Sequence, residues 1–164
     1  MRTEMTAVDV APVSSDRDLG EVRRLFQAYA ASLDFSLEFQ GFDQELADLP
    51  GRYAPPAGRL LLARVDGAVA GCVAMRPFDE SVCEMKRLFV LPEVHGRGVG
   101  RRLANALIDE ARSAGYTAMR LDTVPSMRSA IGLYESLGFR DIEPYTKNPI
   151  AGTRFLELHL RPTR

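Results

Sequence analysis

The chain has few of the residues that build metal sites and disulfide frameworks. Its 164 residues include no tryptophan, two cysteines and two histidines. Cys72 and Cys83 are too few for a disulfide framework, and their spacing fits no zinc motif. His95 and His159 cannot form an HExxH pair. We therefore expect both cysteines to be reduced strand residues, and we expect no metal site.

Long apolar runs and a large net charge are also missing. No stretch approaches the roughly 20 apolar residues that a membrane helix needs, and residues 1–10 lack the pattern of a signal peptide. The formal net charge is -1, and aromatic residues make up 8% of the chain. None of them alternates with the basic residues that follow position 96, as a nucleic-acid platform would require. These features predict a cytoplasmic protein without a membrane or nucleic-acid partner.

Length and hydrophobic content predict one globular domain over residues 1–164. The hydrophobic share is 46%, enough for a core at this length. Charge is unevenly distributed, because residues 1–50 hold 10 acids and 4 bases whereas residues 51–164 hold 12 acids and 17 bases. The acidic part can attract a cationic partner, although a solvated helix face explains these acids equally well.

Hydrophobic periodicity predicts a mixed α/β fold. Ser15 is a plausible cap for a helix that runs through Leu33, and Asp66 with Gly67 between two apolar runs is typical of a type I′ hairpin. A strand, a glycine-rich turn, a helix ending before Gly115 and another strand then form a βαβ unit. The predicted strands are 5–13, 59–65, 68–76, 83–91, 117–123 and 155–160, and further helices are predicted around 43–49, from Val99 onward and at 126–137.

A turn with three alternating glycines, residues 96–100, stands directly before a predicted helix. Such a turn leaves backbone N–H groups free and binds anions. No Gly-Lys-Ser/Thr follows, and Arg101 takes the place of the third glycine in the dinucleotide pattern, which disfavours ATP and NAD. Arg97, Arg101 and Arg102 add positive charge and favour a diphosphate. Taken alone, the turn fits a tight loop with solvated arginines equally well.

A second segment, about thirty residues later, completes a family pattern. Gly98 and Gly100 match a Gln/Arg-x-x-Gly-x-Gly/Ala signature, in which His95 replaces the leading residue. The pattern Asn-x-x-Ala-x-x-Leu-Tyr is matched at Ala130, Leu133 and Tyr134, with Met127 in place of the Asn. Residues 59–139 thereby resemble the GNAT superfamily of N-acetyltransferases, which move an acyl group from acyl-CoA to an amine.

The resemblance implies a particular fold and a place for acetyl-CoA. It implies a central, mostly antiparallel sheet flanked by helices, in which one parallel strand pair splays apart and the cofactor fills the gap as an extra strand. Leu88, Phe89 and Val90 then resemble the strand whose backbone binds the pantetheine arm and the acetyl carbonyl. By the same resemblance, the pyrophosphate cradle consists of His95, Gly96, Arg97, Gly98, Val99, Gly100 and Arg101.

The resemblance also implies direct acetyl transfer to a primary amine in a ternary complex, without a metal. Tyr134 occupies the family's acid position and would protonate the departing CoA thiolate, with simple core packing as the structural alternative. Relatives place a carboxylate base on either of two strands, and this chain has one on each, Glu84 and Asp122. Glu84 is the first choice, and ion pairs with Lys86, Arg87 or Arg120 are the alternative for these carboxylates.

The sequence leaves several interpretations of the function open. A CoA-binding sensor or structural module without turnover would show the same glycine loop. The acceptor can be a small amine or a peptide, and a homodimer is an analogy with other family members.

Strand alternation predicts that Glu84, Lys86 and Leu88 share one face of their strand.

Overall fold

One sheet with a helical layer on each face forms the framework of the chain. The computed structural model describes residues 7–160. In chain order the elements are β1 (Val8–Pro12), α1 (Asp16–Ser32), α2 (Phe42–Asp48), β2 (Arg59–Val65), β3 (Ala68–Pro77), β4 (Val82–Val90), α3 (Val99–Ser113), β5 (Ala118–Thr123), α4 (Arg128–Ser136), β6 (Arg140–Asp141) and β7 (Arg154–His159). The seven strands have the order β1-β2-β3-β4-β5-β7-β6, and only β4 and β5 are parallel neighbours. The predicted mixed, mostly antiparallel sheet is confirmed.

Local signals in the sequence produce the first helix and the central hairpin. The Ser15 hydroxyl accepts a hydrogen bond from the Asp18 N–H at 3.1 Å and caps α1. Asp66 and Gly67 have φ values of 51° and 86°, as both central residues of a type I′ turn require. Both predictions are confirmed. The first predicted strand is observed from Val8, and its residues 5 and 6 lie outside the described part of the chain.

Each face of the sheet carries its own apolar cluster. The first cluster lies between the sheet and α3, and Leu103 and Leu107 are fully buried in it. The second cluster lies between the sheet and α1, with Val22 and Phe26 at its centre. The 3.6-residue period of α3 places its apolar residues along one stripe, which explains why this helix packs flat on β2, β3 and β4. The two layers cover β4 from both sides.

A β-bulge at Arg87 divides β4 into two halves. Phe89 pairs with Cys72 and Lys86 pairs with Ala74, so that two residues of β4 oppose the single residue Val73. Arg87 has a φ of 60°, which is the left-handed region. The extra residue reverses the alternation of side chains along the second half of the strand.

The bulge overturns one expectation from strand alternation. Glu84 and Lys86 share one face, as predicted, but Leu88 packs in the cluster on the opposite face, beside α3. The sequence rule failed here because it assumes an unbroken period of two, and a bulge adds one residue without any change in composition.

The parallel pair β4 and β5 separates partway along its length. Pairing covers Val82 with Ala118, Cys83 with Met119 and Glu84 with Arg120, and it stops there although β4 continues to Val90. The Leu91 N–H donates to the Ala70 carbonyl on β3 at 2.8 Å. Because the Val90 carbonyl and the Leu91 N–H belong to one trans peptide group and point in opposite directions, the carbonyl points away from β3, into the gap beside β5. The predicted splay is confirmed.

Candidate active site

Two adjoining cavities lie where β4 and β5 separate. The inner cavity has a volume of about 50 Å³ and includes Leu88 and Tyr134 in its lining. The outer cavity has a volume of about 390 Å³ and includes Glu84 and Tyr145. Gln40, Lys86 and Asp122 line both cavities and therefore mark their junction. The geometry brings all three predicted catalytic side chains to one cleft.

Tyr134 combines a packed ring with a hydroxyl that reaches the inner cavity. The residue is 7% exposed, and its ring packs against Phe139 with centroids 5.7 Å apart. Among residues 7–160 the hydroxyl has no hydrogen-bond partner, yet its oxygen is not fully enclosed. Burial, followed by the nearby Tyr29 and Asp122, raises the pKa of Tyr134 above its ordinary value. The phenol therefore stays protonated at neutral pH.

Both oxygens of the Glu84 carboxylate already have partners. Oε1 lies 2.9 Å from Nε of Arg76, and Oε2 accepts a hydrogen bond from the Tyr145 hydroxyl at 2.8 Å. The side chain is 6% exposed. The sequence offered other ion-pair partners for Glu84, but Arg87 pairs with Glu45 and Arg120 with Glu157. The actual partner, Arg76, faces Glu84 across the β3–β4 pair.

Asp122 lies at the junction of the cavities beside a buried lysine. Its Oδ1 is 3.8 Å from Nζ of Lys86, and its Oδ2 accepts a hydrogen bond from the Asn148 amide at 3.1 Å. The Lys86 ammonium also donates to Oε1 of Gln40 at 3.2 Å. Burial lowers the pKa of Lys86, against the opposing effect of Glu84 and Asp122.

Three further residues of this cleft were not among the catalytic candidates from the sequence. The sequence offered Lys86 as an ion-pair partner only, and it placed Tyr145 and Asn148 in a loop that, by the family resemblance, can border the acceptor site. Lys86 alternates with Glu84 on β4, and a charged residue at that period within an apolar strand was the one available signal. Tyr145 and Asn148 come from the loop after β6, and they reach the carboxylates across 61 and 26 residues of chain. No local pattern encodes contacts of that separation.

The glycine turn adopts the geometry that an anion cradle needs. Gly96 and Gly98 have φ values of 82° and 77°, which other residues rarely adopt. Gly98 caps α3 without a side-chain hydrogen bond, and the first helical bond runs from the Arg102 N–H back to Gly98. The N–H groups of Val99, Gly100 and Arg101 precede that bond and have no partner within the helix. A Cβ atom at Gly96 or Gly98 would meet nothing within 4 Å, so a ligand can approach the backbone there.

His95 connects the glycine turn to the cleft. Its Nε2 lies 2.8 Å from the Val90 carbonyl oxygen. Since a carbonyl only accepts, Nε2 carries the proton. The imidazole thus covers a carbonyl that points into the gap between β4 and β5. The family resemblance placed His95 in the pyrophosphate cradle. The residue is exposed in the loop before α3, and its contact with the Val90 backbone was not predicted from the sequence.

Two of the three arginines near the turn are bound to other elements. The Arg101 guanidinium donates to the Ser136 hydroxyl at 2.8 Å, and the Arg102 guanidinium donates to the Val8 carbonyl at 2.7 Å. The side chain of Arg97 is exposed and makes no such contact within residues 7–160. These neutral acceptors fix the direction of Arg101 and Arg102 without cancelling their charge, and Arg97 adds a third positive charge beside the N-terminus of α3.

The acidic segment of residues 15–50 does not bring its charge to the cleft. No acidic residue of this segment lines the two cavities. The residues of the segment that do so are Tyr29, Phe35, Leu37, Phe39 and Gln40. Within the described chain, the segment's acids Asp18, Glu21 and Glu45 instead pair with arginines. The segment forms part of the wall of the cleft, but not through its acidic residues. The attraction of a cationic partner that the charge distribution suggested is therefore not supported.

Thiols and metal ligands do not converge on this cleft. Cys72 and Cys83 are free and buried, and burial raises the pKa of Cys83 to about 12. Across residues 7–160 no three His, Cys, Asp or Glu side chains are grouped as metal ligands would be. In the same range, the helices are too short or too polar to span a bilayer. His159 is exposed at the end of β7, as the sequence predicted.

Comparisons with known proteins agree with this geometry. The model of the Acetyltransferase (GNAT) family matches residues 22–139. An uncharacterized N-acetyltransferase of Schizosaccharomyces pombe is 38% identical over 93% of this chain and 95% of its own length. An N-acetyltransferase of Dictyostelium discoideum is 29% identical, over 91% of this chain and 98% of its own.

A solved structure shows the same fold. An acetyltransferase from Salmonella typhimurium, determined with its cofactor acetyl-CoA, superposes with a TM-score of 0.72 at 23% identity. The match covers 94% of this chain and 95% of that one. The family model, the similar sequences and the splayed sheet lead to one conclusion: the chain belongs to the acetyltransferase (GNAT) family.

Proposed function

We propose that this protein transfers the acetyl group of acetyl-CoA directly to a primary amine while both substrates are bound. The observation that carries this proposal is the cleft between β4 and β5. It brings Tyr134 and the carboxylates Glu84 and Asp122 together beside an unpaired strand edge. The glycine turn follows this edge, and His95 contacts its Val90 carbonyl. A CoA-binding module would need only the strand edge and the turn, so the ionisable groups favour an enzyme.

The residues of the cleft fit acetyl-CoA in two parts. The backbone of Leu88, Phe89 and Val90 would bind the pantetheine arm, since an exposed strand edge satisfies an extended amide ligand. The turn from Gly96 to Arg101 would bind the pyrophosphate through backbone N–H groups at the N-terminus of α3. His95 would bind in the same region, with its Nε2–H released from the Val90 carbonyl as the arm enters.

The chemistry needs one proton donor and one proton acceptor. The amine nitrogen attacks the thioester carbonyl carbon, a C–N bond forms, and the C–S bond breaks. Tyr134 would donate its proton to the departing sulfur while the C–S bond breaks, which limits the negative charge that develops on the thiolate. Its raised pKa keeps that proton in place before the reaction.

We assign the acceptor of the amine proton to Asp122 ahead of Glu84. Asp122 lines both cavities, whereas Glu84 lines the outer one alone. Both carboxylates have contacts on each oxygen, but those of Glu84, at 2.9 and 2.8 Å, are shorter than those of Asp122, at 3.8 and 3.1 Å. The carboxylate at the junction can take the proton directly or through a water molecule, while Glu84 would orient the acceptor. This order reverses the preference drawn from the sequence.

A covalent acetyl-enzyme intermediate is not part of the proposal. Of the two protonation states of a cysteine, only the thiolate is strongly nucleophilic. Burial raises the pKa of Cys83 to about 12, so this thiol stays protonated at neutral pH. Burial raises the pKa of Cys72 as well. Positioning amine and thioester together accounts for much of the expected acceleration.

Two measurements test the proposal. Acetyl-CoA at 100 times its dissociation constant should stabilise the fold by about 2.7 kcal/mol and raise the melting temperature by roughly 5 to 10 °C, whereas ATP and NAD should not. With an amine that is turned over, initial rates at varied concentrations of both substrates should give intersecting double-reciprocal lines. Parallel lines, which indicate a covalent intermediate, would refute direct transfer. Acetyl-CoA binding without transfer to any amine would favour the sensor reading.

The cytoplasmic location, the homodimer and the absence of a nucleic-acid partner stay predictions from the sequence. So does the single domain over residues 1–164.

A further inference from the structure

The outer cavity is lined by more cations than anions. Its charged lining residues are Arg52, Arg76, Lys86 and Lys147 against Glu84 and Asp122. Arg76 pairs with Glu84 at 2.9 Å, and Lys86 lies 3.8 Å from Asp122. These pairs use both carboxylates of the lining and two of its four cations. A surplus of two positive charges remains.

The surplus belongs to Arg52 and Lys147. The Arg52 guanidinium donates to the Pro77 carbonyl at 2.6 Å, and a neutral carbonyl does not cancel its charge. Lys147 makes no hydrogen bond or ion pair with any residue between 7 and 160. Both side chains belong to exposed residues, on two loops that are far apart in sequence and line the same cavity. They form a cationic rim, which we define as Arg52 and Lys147.

The same cavity also offers apolar contact and limited space. Phe39 and Phe78 are 39% and 41% exposed, and they are the exposed large hydrophobic residues of the described chain. Both line the outer cavity. Exposed apolar groups gathered in a concave site are typical of ligand contact. A volume of about 390 Å³ fits a small metabolite.

We propose that the acceptor is an amine that also carries a carboxylate, such as an amino acid. This inference rests on the proposed acetyl transfer and names the acceptor class of that site. The carboxylate would bind at the cationic rim, and the amine would point inward to Asp122, where the outer cavity meets the inner one. An arginine guanidinium is the side chain best suited to a carboxylate, and charge-assisted hydrogen bonds are about twice as strong as neutral ones.

A matched set of acceptors isolates the contribution of the carboxylate. L-phenylalanine, L-phenylalaninamide and phenethylamine share a phenyl group suited to Phe39 and Phe78, and only the first carries a carboxylate. CoA release would be measured with each, and each kcat/KM divided by the neutral fraction of that amine at the assay pH. We expect the acid to exceed both neutral analogues by about tenfold or more, which corresponds to about 1.4 kcal/mol. Of the three compounds, only L-phenylalanine should show a KM that rises with the salt concentration.

Charge-neutralising variants locate the effect. Lys147→Gln and Arg52→Gln should each reduce kcat/KM with L-phenylalanine several-fold more than kcat/KM with phenethylamine. Lys147→Gln is the cleaner change, because Lys147 has no partner to lose among residues 7–160. The control is Arg112→Gln, which removes the same charge from the end of α3, where Arg112 pairs with Asp109 and lines neither cavity. It should leave the preference intact.

The outcomes separate this inference from the proposed function. Equal or faster transfer to the amide or to phenethylamine overturns the carboxylate assignment and leaves acetyl transfer standing. A preference that survives both rim variants also overturns it. If no amine is acetylated although acetyl-CoA binds, the proposed function fails. In that case, binding of the three compounds to the CoA-saturated protein decides the inference, and affinity for the acid no greater than for its analogues refutes it.

Discussion

Tyr134→Phe separates catalysis from folding, because the substitution removes one oxygen atom and nothing else. Among residues 7–160 the Tyr134 hydroxyl makes no hydrogen bond, and the ring that packs against Phe139 is retained. A typical hydrogen bond contributes about 0.5 to 1.5 kcal/mol to stability. Since none is lost here, the free energy of unfolding should change by less than about 0.5 kcal/mol.

The effect on turnover should be far larger. A positioned general acid contributes about 10²- to 10⁴-fold, so kcat should fall at least 100-fold, equivalent to about 2.7 kcal/mol of activation free energy. The raised pKa of Tyr134 adds a pH expectation with a definite sign. Tyr134 can act as an acid until it is deprotonated, and its pKa lies above 10.0, the ordinary pKa of a tyrosine. Titration of Tyr134 should therefore cause no decline in kcat below pH 10.0.

The measurement pairs urea unfolding with thiol-release kinetics on the same preparations, and Tyr116→Phe is the matched control. Tyr116 is also 7% exposed, but its hydroxyl donates to the Ala57 carbonyl at 2.7 Å and lies outside both cavities. This control should lose about 1 kcal/mol of stability and keep its kcat. If Tyr134→Phe retains kcat within threefold of the unmodified protein, Tyr134 is a packing residue and the proposed acid is wrong.

Three further substitutions test the framework around the site. Gly71→Ala would place a Cβ 2.5 Å from the Phe89 carbonyl oxygen, and we expect urea titration to show a loss of about 1 to 3 kcal/mol, whereas an unchanged midpoint would contradict the close approach. In Gly98→Ala the added Cβ would meet no atom, but the alanine would have to adopt a φ of 77°, so the free energy of unfolding should fall by about 1 kcal/mol in the same titration. The KM for acetyl-CoA should rise, and an unchanged KM would argue against the cradle. The hydrogen bond from Arg64 lowers the pKa of Asp18 below its ordinary 3.8, so its contribution to stability is present above pH 3.8 and disappears as the pH falls through the lowered value. Asp18→Asn should therefore be less stable than the unmodified protein at neutral pH and approach it below pH 3.8 in acid titration, and a gap that stays constant would contradict this ion pair.

Patterns that act over a few residues predicted most of the fold. The capped start of α1, the turn at Asp66 and Gly67 and the apolar stripe of α3 each depend on neighbours within about four positions, and all three are observed. The bulge at Arg87 was not predictable. It depends on the register between β3 and β4, which no periodicity within β4 reveals.

The sequence named the residues of the candidate site better than it named their partners. It indicated Tyr134, Glu84 and Asp122 because they fall at family positions. It offered Lys86, Arg87 or Arg120 as ion-pair partners for the two carboxylates, and Lys86 does lie beside Asp122. The partners of Glu84 were not predicted, because Arg76 is opposite it on the adjacent strand and Tyr145 comes from a distant loop. Burial, which sets the pKa of Tyr134 and of Lys86, depends on every element around the cleft.

The bulge at Arg87 gives the two halves of β4 opposite patterns of side-chain alternation. Before it, even-numbered residues such as Glu84 and Lys86 face one side of the sheet; after it, odd-numbered residues such as Phe89 face that side. The pairing of β4 with β5 ends at Glu84, so the half of β4 after the bulge also has an unpaired main-chain edge. Deleting a single residue at the bulge would restore one alternation along β4 and turn the side chains of one half to the opposite face.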